Sequence, residues 1–389
     1  MSRLTVGSIE GLTENSNVIS VPTGHSLNVV DGIQVDGEYM TPYAGRRNLL
    51  YNGAMQVAQR GTSEAGITGN GYYTADRWLT HLITQGTWTQ SVENDAPDGS
   101  GFSKSVKLLC TTADPSPAAG DALRFRQYLE GQDLQRIAKG TSSAQQLTVS
   151  FWVKASVTGT YIVELFDDNN SRTVSASYTV ASSATWEKKV VTFSADTTGV
   201  FDNDNNKSLL VTWWLGAGSD ATSGTLQTSW GTWVEANRAV GQVNLASAVN
   251  NYWQITGVQL ELGDKATPFE HRPYGEELAL CRRYFQILTC NDVYTPVGIG
   301  NFNTGTQILV KHRLSPSMRT SATISYSDIS HFDIEPFDQQ PSSLAGLATG
   351  QSEDYAVIEA ISPTSRTQGF ASTIVADING GFMSFSAEL

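Results

Sequence analysis

Charged residues are scarce, at 16% of the 389 residues against roughly a quarter in ordinary soluble proteins. Ser, Thr, Asn, Gln and Gly must therefore build most of the surface. Cysteine is scarcer still, with only Cys110, Cys281 and Cys290. Three thiols without a CxxC pair make neither a disulfide framework nor a cysteine-based zinc site. The five histidines, His25, His81, His271, His312 and His331, show no HxH or HExxH spacing, and phosphate-binding and serine-hydrolase motifs are missing. No run of about 18 apolar residues exists to span a membrane. MSRLTVGSIEGL lacks the basic and apolar regions of a secretory leader, so synthesis in a reducing cytosol is expected. Basic residues are outnumbered 25 to 38, for a net charge of −13, which excludes a broad phosphate-neutralising face for nucleic acid and disfavours anionic membranes.

What is present is 40% hydrophobic residues, 35 Gly, 14 Phe, 14 Tyr and 9 Trp. The length implies two or three domains, and the composition implies a mainly β, turn-rich protein. Residues 1–46 hold Val18–Val21 and then Leu27, Val29, Ile33 and Val35 between Gly and Asp. These read as short strands with too few apolar residues for a core of their own. The segment is a docking or stem segment that needs another chain. Over 47–272, strands are predicted at Ser105–Cys110, Ala122–Leu129, Leu147–Lys154, Gly159–Asp167, Ser171–Val180, Trp186–Phe193, Leu209–Leu215 and Trp253–Leu262. In LTVSFWVKA, Leu147, Val149, Phe151 and Val153 share one face. The spacing points to an antiparallel β-sandwich, with one helix at GQDLQRIAKG. Residues 273–290 predict a helical junction with Leu278, Cys281, Tyr284/Phe285 and Leu288 on one face. Residues 291–389 read as a C-terminal β domain with its last strand, Phe382–Ala387, held in a sheet.

Chemistry-bearing groups are few. Asp167/Asp168 and Asp202/Asp204 could flank a glycosidic bond, but both pairs lie in Asn-rich stretches, where Asp and Asn make turns with their own backbone. FDNDNNKS also offers oxygens at alternate positions, which makes Asp202, Asp204 and Asn206 candidate ligands for a structural calcium ion; the distal Glu and central Gly of an EF-hand are missing. No other cofactor is implied. The tryptophans are more informative. Trp213 and Trp214 are adjacent in a strand and must point to opposite faces, as must Phe151 and Trp152. The sequence therefore offers Trp152, Trp214, Trp230 and Trp233 as exposed rings for glycan stacking, with packing at a sheet edge or subunit interface as the alternative.

Two stretches carry a resemblance. RRNLLYNGAMQVAQRGTS with GYYTADRW, and YWQITGVQLELGDKATPFEHRPYGEELALCRRYFQ, resemble phage tail-fibre and minor virion proteins that carry a carbohydrate-binding-module-like jelly roll. The likeness spans residues 46–286. The N-terminal GSIEGL…NVISVPTGHSLNV is similar to the start of virion fibre proteins of marine, podovirus-like phages. The resemblance implies a jelly-roll sandwich in a homotrimeric, non-enzymatic virion protein, assembled in the host cytoplasm and contacting host surface glycans. Residues 1–46 would then dock on another virion protein, such as a tail adaptor, tail tube or capsid. It gives Asn48, Asn52, Gly53 and Arg60 the entry turn, Asp76, Arg77 and Trp78 the first strand, and Arg77 a carboxylate partner. Gln259 and Glu261 would face a subunit contact or groove, while Val258, Leu260 and Leu262 enter the core. Two rival readings remain: a capsid decoration or head fibre, and a polysaccharide depolymerase.

Overall fold

A computed structural model describes residues 33–35, 38–40, 46–290, 294–347, 350–376 and 381–389. Strands β1 (Ile33–Val35) and β2 (Glu38–Met40) pair as a hairpin. The rest of the predicted docking segment lies outside the described residues.

Twelve strands build the large unit: β3 (Ser63–Ile67), β4 (Leu79–Ile83), β5 (Thr87–Glu93), β6 (Ser105–Thr112), β7 (Ala122–Glu130), β8 (Leu147–Ala155), β9 (Gly159–Asp167), β10 (Arg172–Val180), β11 (Glu187–Phe193), β12 (Lys207–Ala217), β13 (Gly231–Thr232) and β14 (Tyr252–Leu262). They form two six-stranded antiparallel sheets, ordered β13-β10-β9-β12-β7-β4 and β11-β8-β14-β6-β5-β3, packed as a jelly-roll sandwich. Alternation decides which side chains meet between the sheets. Phe151, Val153, Phe125, Trp213 and Trp253 enter one core, where Trp78 stacks on Phe125 with centroids 5.0 Å apart and meets Trp213 edge-on. The helix predicted at GQDLQRIAKG is instead two 3-10 turns, Gly131–Asp133 and Gln135–Ile137. Ala138 at φ 51° ends the second, and Leu134 and Ile137 still reach the core.

The entry motif is a backbone clamp. The Asn48 amide donates to the Val258 carbonyl (3.0 Å), and its Oδ1 accepts from the Leu50 and Leu260 amides. Asn52, at φ 52°, bonds Val57 and the Asp76 carbonyl. A Cβ on Gly53 would lie 2.1 Å from the Val258 carbonyl oxygen, so only glycine fits. Gln259 and Glu261 find their partners in the returning segment of the same chain: Glu261 accepts from Gln259 (2.9 Å) and twice from Thr267.

The predicted junction helix is shorter than its apolar spacing. Helix α2 (Tyr274–Arg282), preceded by a single turn α1 (Ser219–Thr222), stops before Tyr284. Phe285 and Leu288 lie in β15 (Phe285–Thr289), because residues 285–289 pair with the last strand rather than continuing a helix. The remaining strands are β16 (Thr295–Phe302), β17 (Gln307–Arg313), β18 (Thr323–Tyr326), β19 (Phe332–Glu335), β20 (Ser343–Gly346), β21 (Tyr355–Ile361), β22 (Ala371–Ala376) and β23 (Phe382–Ser386). They make a three-stranded sheet, β15-β23-β18, and a six-stranded sheet, β19-β22-β16-β17-β21-β20, around a second core that includes Phe302, Phe332 and Phe385.

Charge joins the two units. Arg77, with no side-chain exposure, pairs with Glu388, which also holds Arg60 at 3.0 Å. Glu130 accepts from Nε and Nη2 of Arg283 (2.8 and 2.7 Å) and from the Tyr284 hydroxyl. Arg319 donates to the Asn205 carbonyl at 2.9 Å. All three cysteines are free and buried, and no helix among the described residues is long and apolar enough to cross a membrane.

Candidate functional site

The four tryptophans separate sharply in three dimensions. Trp214 is fully buried, which corrects the expectation that it is an exposed ring. It does leave the main core, as alternation requires, but Ala221 and Ala239 from the 218–244 excursion cover that outer face. Its indole nitrogen donates to Glu164 at 3.1 Å, and the Arg124 guanidinium lies 4.2 Å from its ring. Trp230 is half-buried against the main core, donates to the Ser194 carbonyl at 2.9 Å and sits under Lys139. Trp233 is exposed beside the short β13 strand. Trp152 is half-buried on the outer face of β8, in register with Lys188 and Thr256.

Trp152 borders two hollows. One, of about 280 Å³, is lined by Phe102, Ser150, Lys188, Gly257, Phe269 and His271 among others. Phe102 meets Phe269 edge-on at 4.9 Å, and the His271 ring lies 5.2 and 4.9 Å from the two phenyl rings. The second, of about 440 Å³, is lined by Asp95, Pro97, Asp98, Thr185 and Trp186. Three connections supply these walls: β5–β6, β10–β11 and the segment after β14. Gly257 makes the approach possible. It sits in the β14 bulge at φ +62°, where a Cβ would lie 2.6 Å from the Phe102 ring and 3.2 Å from Trp152.

Asp95 organises the second hollow. It accepts from the Trp186 indole at 3.1 Å, from Gln254 at 3.2 Å and from Lys154. Partial burial opposes its charge, but these donors outweigh it and hold the carboxyl below its ordinary range. Lys154 also lies 5.2 Å from the Trp186 ring. Aromatic faces beside fixed carboxylate, amide and ammonium groups offer stacking to an apolar face and hydrogen bonds to hydroxyls. Trp186, Phe102, Phe269 and Asp95 were not among the candidate site residues of the sequence, and His271 stood there only as one of five scattered histidines. Their one signal was aromatic residues inside Gly-, Pro- and Asp-rich connections such as DAPDGSGF and TPFEH.

The carboxylate candidates are otherwise engaged. Asp167 is buried on Lys139 at 2.5 Å, and Asp168 pairs with Lys207 at 3.1 Å. Asp202 accepts from Asn169 at 2.9 Å, and Asp204 accepts from the backbone and side-chain amides of Asn206 at 3.0 and 2.6 Å. The backbone bond from Asn206 to Asp204 is a turn bond of the kind Asp makes with nearby backbone, whereas Asn169 reaches Asp202 across two loops. Among the described residues no three His, Cys, Asp or Glu side chains gather as a metal site.

No protein-family model and no curated protein matches the chain. Solved structures similar to it include the enzymatically active domain of bacteriophage CBA120 tailspike protein 4, at 15% identity and TM-score 0.30, with 55% of this chain and 21% of that one covered. The carbohydrate-binding module TmCBM61 in complex with β-1,4-galactotriose is similar at 10% identity and TM-score 0.29, covering 56% and 99%. An exo-β-agarase is similar at 12% identity and TM-score 0.29, covering 77% and 44%. The chain thus spans about a fifth of the tailspike domain's length.

Proposed function

We propose that this protein is a glycan-binding component of a phage virion, a homotrimeric tail fibre that binds host surface saccharides without cleaving them. The observation that carries the reading is the pair of hollows around Trp152, where indole and phenyl faces stand beside the fixed polar groups Asp95, Gln254 and Lys154. The chain's low charge suits neutral, hydroxyl-rich ligands, and the N-terminal resemblance supports docking on another virion protein through residues 1–46. A host-polysaccharide and glycan array probed with the purified protein tests it. Binding should occur and should fall at least tenfold in Trp152→Ala and Trp186→Ala, with melting temperature nearly unchanged. An array on which wild type and both variants behave alike overturns the reading. New reducing ends released from host polysaccharide would overturn the non-enzymatic part, and a monomer in light scattering the trimer.

A further inference from the structure

The opposite outer face, on the sheet containing β7, β9 and β12, carries a cluster of cations that the Trp152 hollows do not use. Register places His81, Arg124, Trp214 and Ile162 in one row across β4, β7, β12 and β9. The neighbouring row is Leu79, Arg126, Thr212 and Glu164. Arg124 and Arg126 are two residues apart on one strand, so their side chains leave the same face about 7 Å apart.

The charges there do not balance locally. Glu164 is saturated: it receives Arg238 through both oxygens (2.7 and 2.9 Å), the Trp214 indole and the Thr173 hydroxyl. Arg238 is further held by Glu235 at 2.9 Å. Nothing remains for the other two arginines. Arg124 and Arg126 are only 8% and 5% exposed. Nε of Arg124, Nε and Nη2 of Arg126 and Nδ1 of His81 are buried without a hydrogen-bond partner. Arg124 lies over the Trp214 ring and Arg126 near that of Tyr128, but a ring serves the guanidinium face and leaves its in-plane N–H donors unserved. Burial, followed by the charges of Arg238 and Arg126, lowers the Arg124 pKa to about 9. Burial and the two arginines likewise push His81 down to about 3, so its ring is neutral. Unpaired buried cations are costly, and an arriving anion would relieve that cost.

We propose that Arg124, Arg126 and His81 form an oxyanion site for a single carboxylate or sulfate group, such as acidic saccharides carry. Two guanidinia of one strand can both donate to one oxyanion. The site is independent of the Trp152 hollows, and the test separates the two.

Melting temperature is measured for the full chain and for Arg124→Gln/Arg126→Gln in sodium chloride, sodium sulfate, sodium glucuronate and neutral glucose, at matched ionic strength. Sulfate and glucuronate should raise wild type by roughly 5–10 °C beyond the double variant at a hundredfold excess over the dissociation constant. Glucose should do nothing. Without anions the double variant should melt no lower than wild type, since it removes unpaired buried charge. Isothermal titration of sulfate and glucuronate into wild type should also give saturable heat at one site per chain. That measurement stands even if the double variant does not fold. Equal shifts in both proteins, an equal effect of glucose, or no saturable heat overturns the proposal. None of these outcomes bears on binding by Trp152.

Discussion

Replacing Glu388 by alanine should cost more stability than almost any other surface-proximal change. Arg77 is completely buried, and its guanidinium meets Glu388, the Tyr128 carbonyl at 2.8 Å, the Tyr284 ring at 3.4 Å and, farther off, the Tyr51 ring at 5.9 Å. Its Nε already lacks a partner. Burial opposes the charge of Arg77, while Glu388 and then Tyr284 raise its pKa. Removing the carboxylate strands a buried cation, a change worth about 3–5 kcal/mol. Arg60 loses a bond in the same step but keeps its contacts with Asp76 and Phe285. At roughly 2–4 °C per kcal/mol for a unit of this size, the jelly-roll transition in calorimetry should fall by about 6–20 °C. Glu388→Gln, which keeps the shape and an acceptor, should fall less. Arg77→Met with Glu388→Leu should recover much of the loss, because the pair is then replaced by apolar side chains. A fall under about 2 °C for Glu388→Ala would refute the reasoning, since the two units would then be held by something other than this clamp.

Four other outcomes follow from the same geometry. Gly257→Ala should lower stability by about 1–3 kcal/mol in chemical denaturation, from its left-handed φ and the Phe102 clash, and should weaken glycan binding as well. Trp214→Ala should cost about 3–5 kcal/mol yet leave binding by the Trp152 hollows intact; lost binding at unchanged stability would restore Trp214 as a ligand residue. Asp76, fully buried, is raised by burial to about 6. A raised carboxyl favours folding at low pH, so its contribution declines as pH rises from about 4 to 6 and is flat above. Unfolding free energies of Asp76→Asn from urea titrations, relative to wild type, should improve across that window by up to about 3 kcal/mol. Glu164 has the opposite sign: burial opposes its charge, Arg238 outweighs burial, and its carboxyl stays below the ordinary range. Its stabilisation is present above about pH 4.5 and lost as pH falls through the lower folded value.

The strands that alternation revealed are mostly central ones, such as β8, β9, β12 and β14, where two neighbours and a packed face demand a strict apolar parity. Those it missed include β3, β4, β13, β15, β19 and β20, each at the edge of its sheet. An edge strand has one neighbour and a half-wet face, so its sequence is less constrained. Strand β16 was hidden differently. Its TPVGIGNF carries Pro and two Gly, and a Cβ on Gly300 would lie 1.9 Å from the Leu309 carbonyl oxygen, so the glycines that look like turn signals mark close backbone approach.

Composition and the period of two determined, without any fold, that this is an acidic, weakly charged protein of antiparallel β sheets and that Trp213 and Trp214 face opposite ways. Only tertiary structure decided which outward rings are reachable. That depends on segments remote in sequence: residues 218–244 fold over Trp214, while the connections around Phe102, Trp186 and Phe269 rise beside Trp152 and leave it open. Charge shows the same division. The total of −13 was legible from the chain. That two arginines lie buried and unpaired on one face follows only from cross-strand register and from which donors reach Glu164 first.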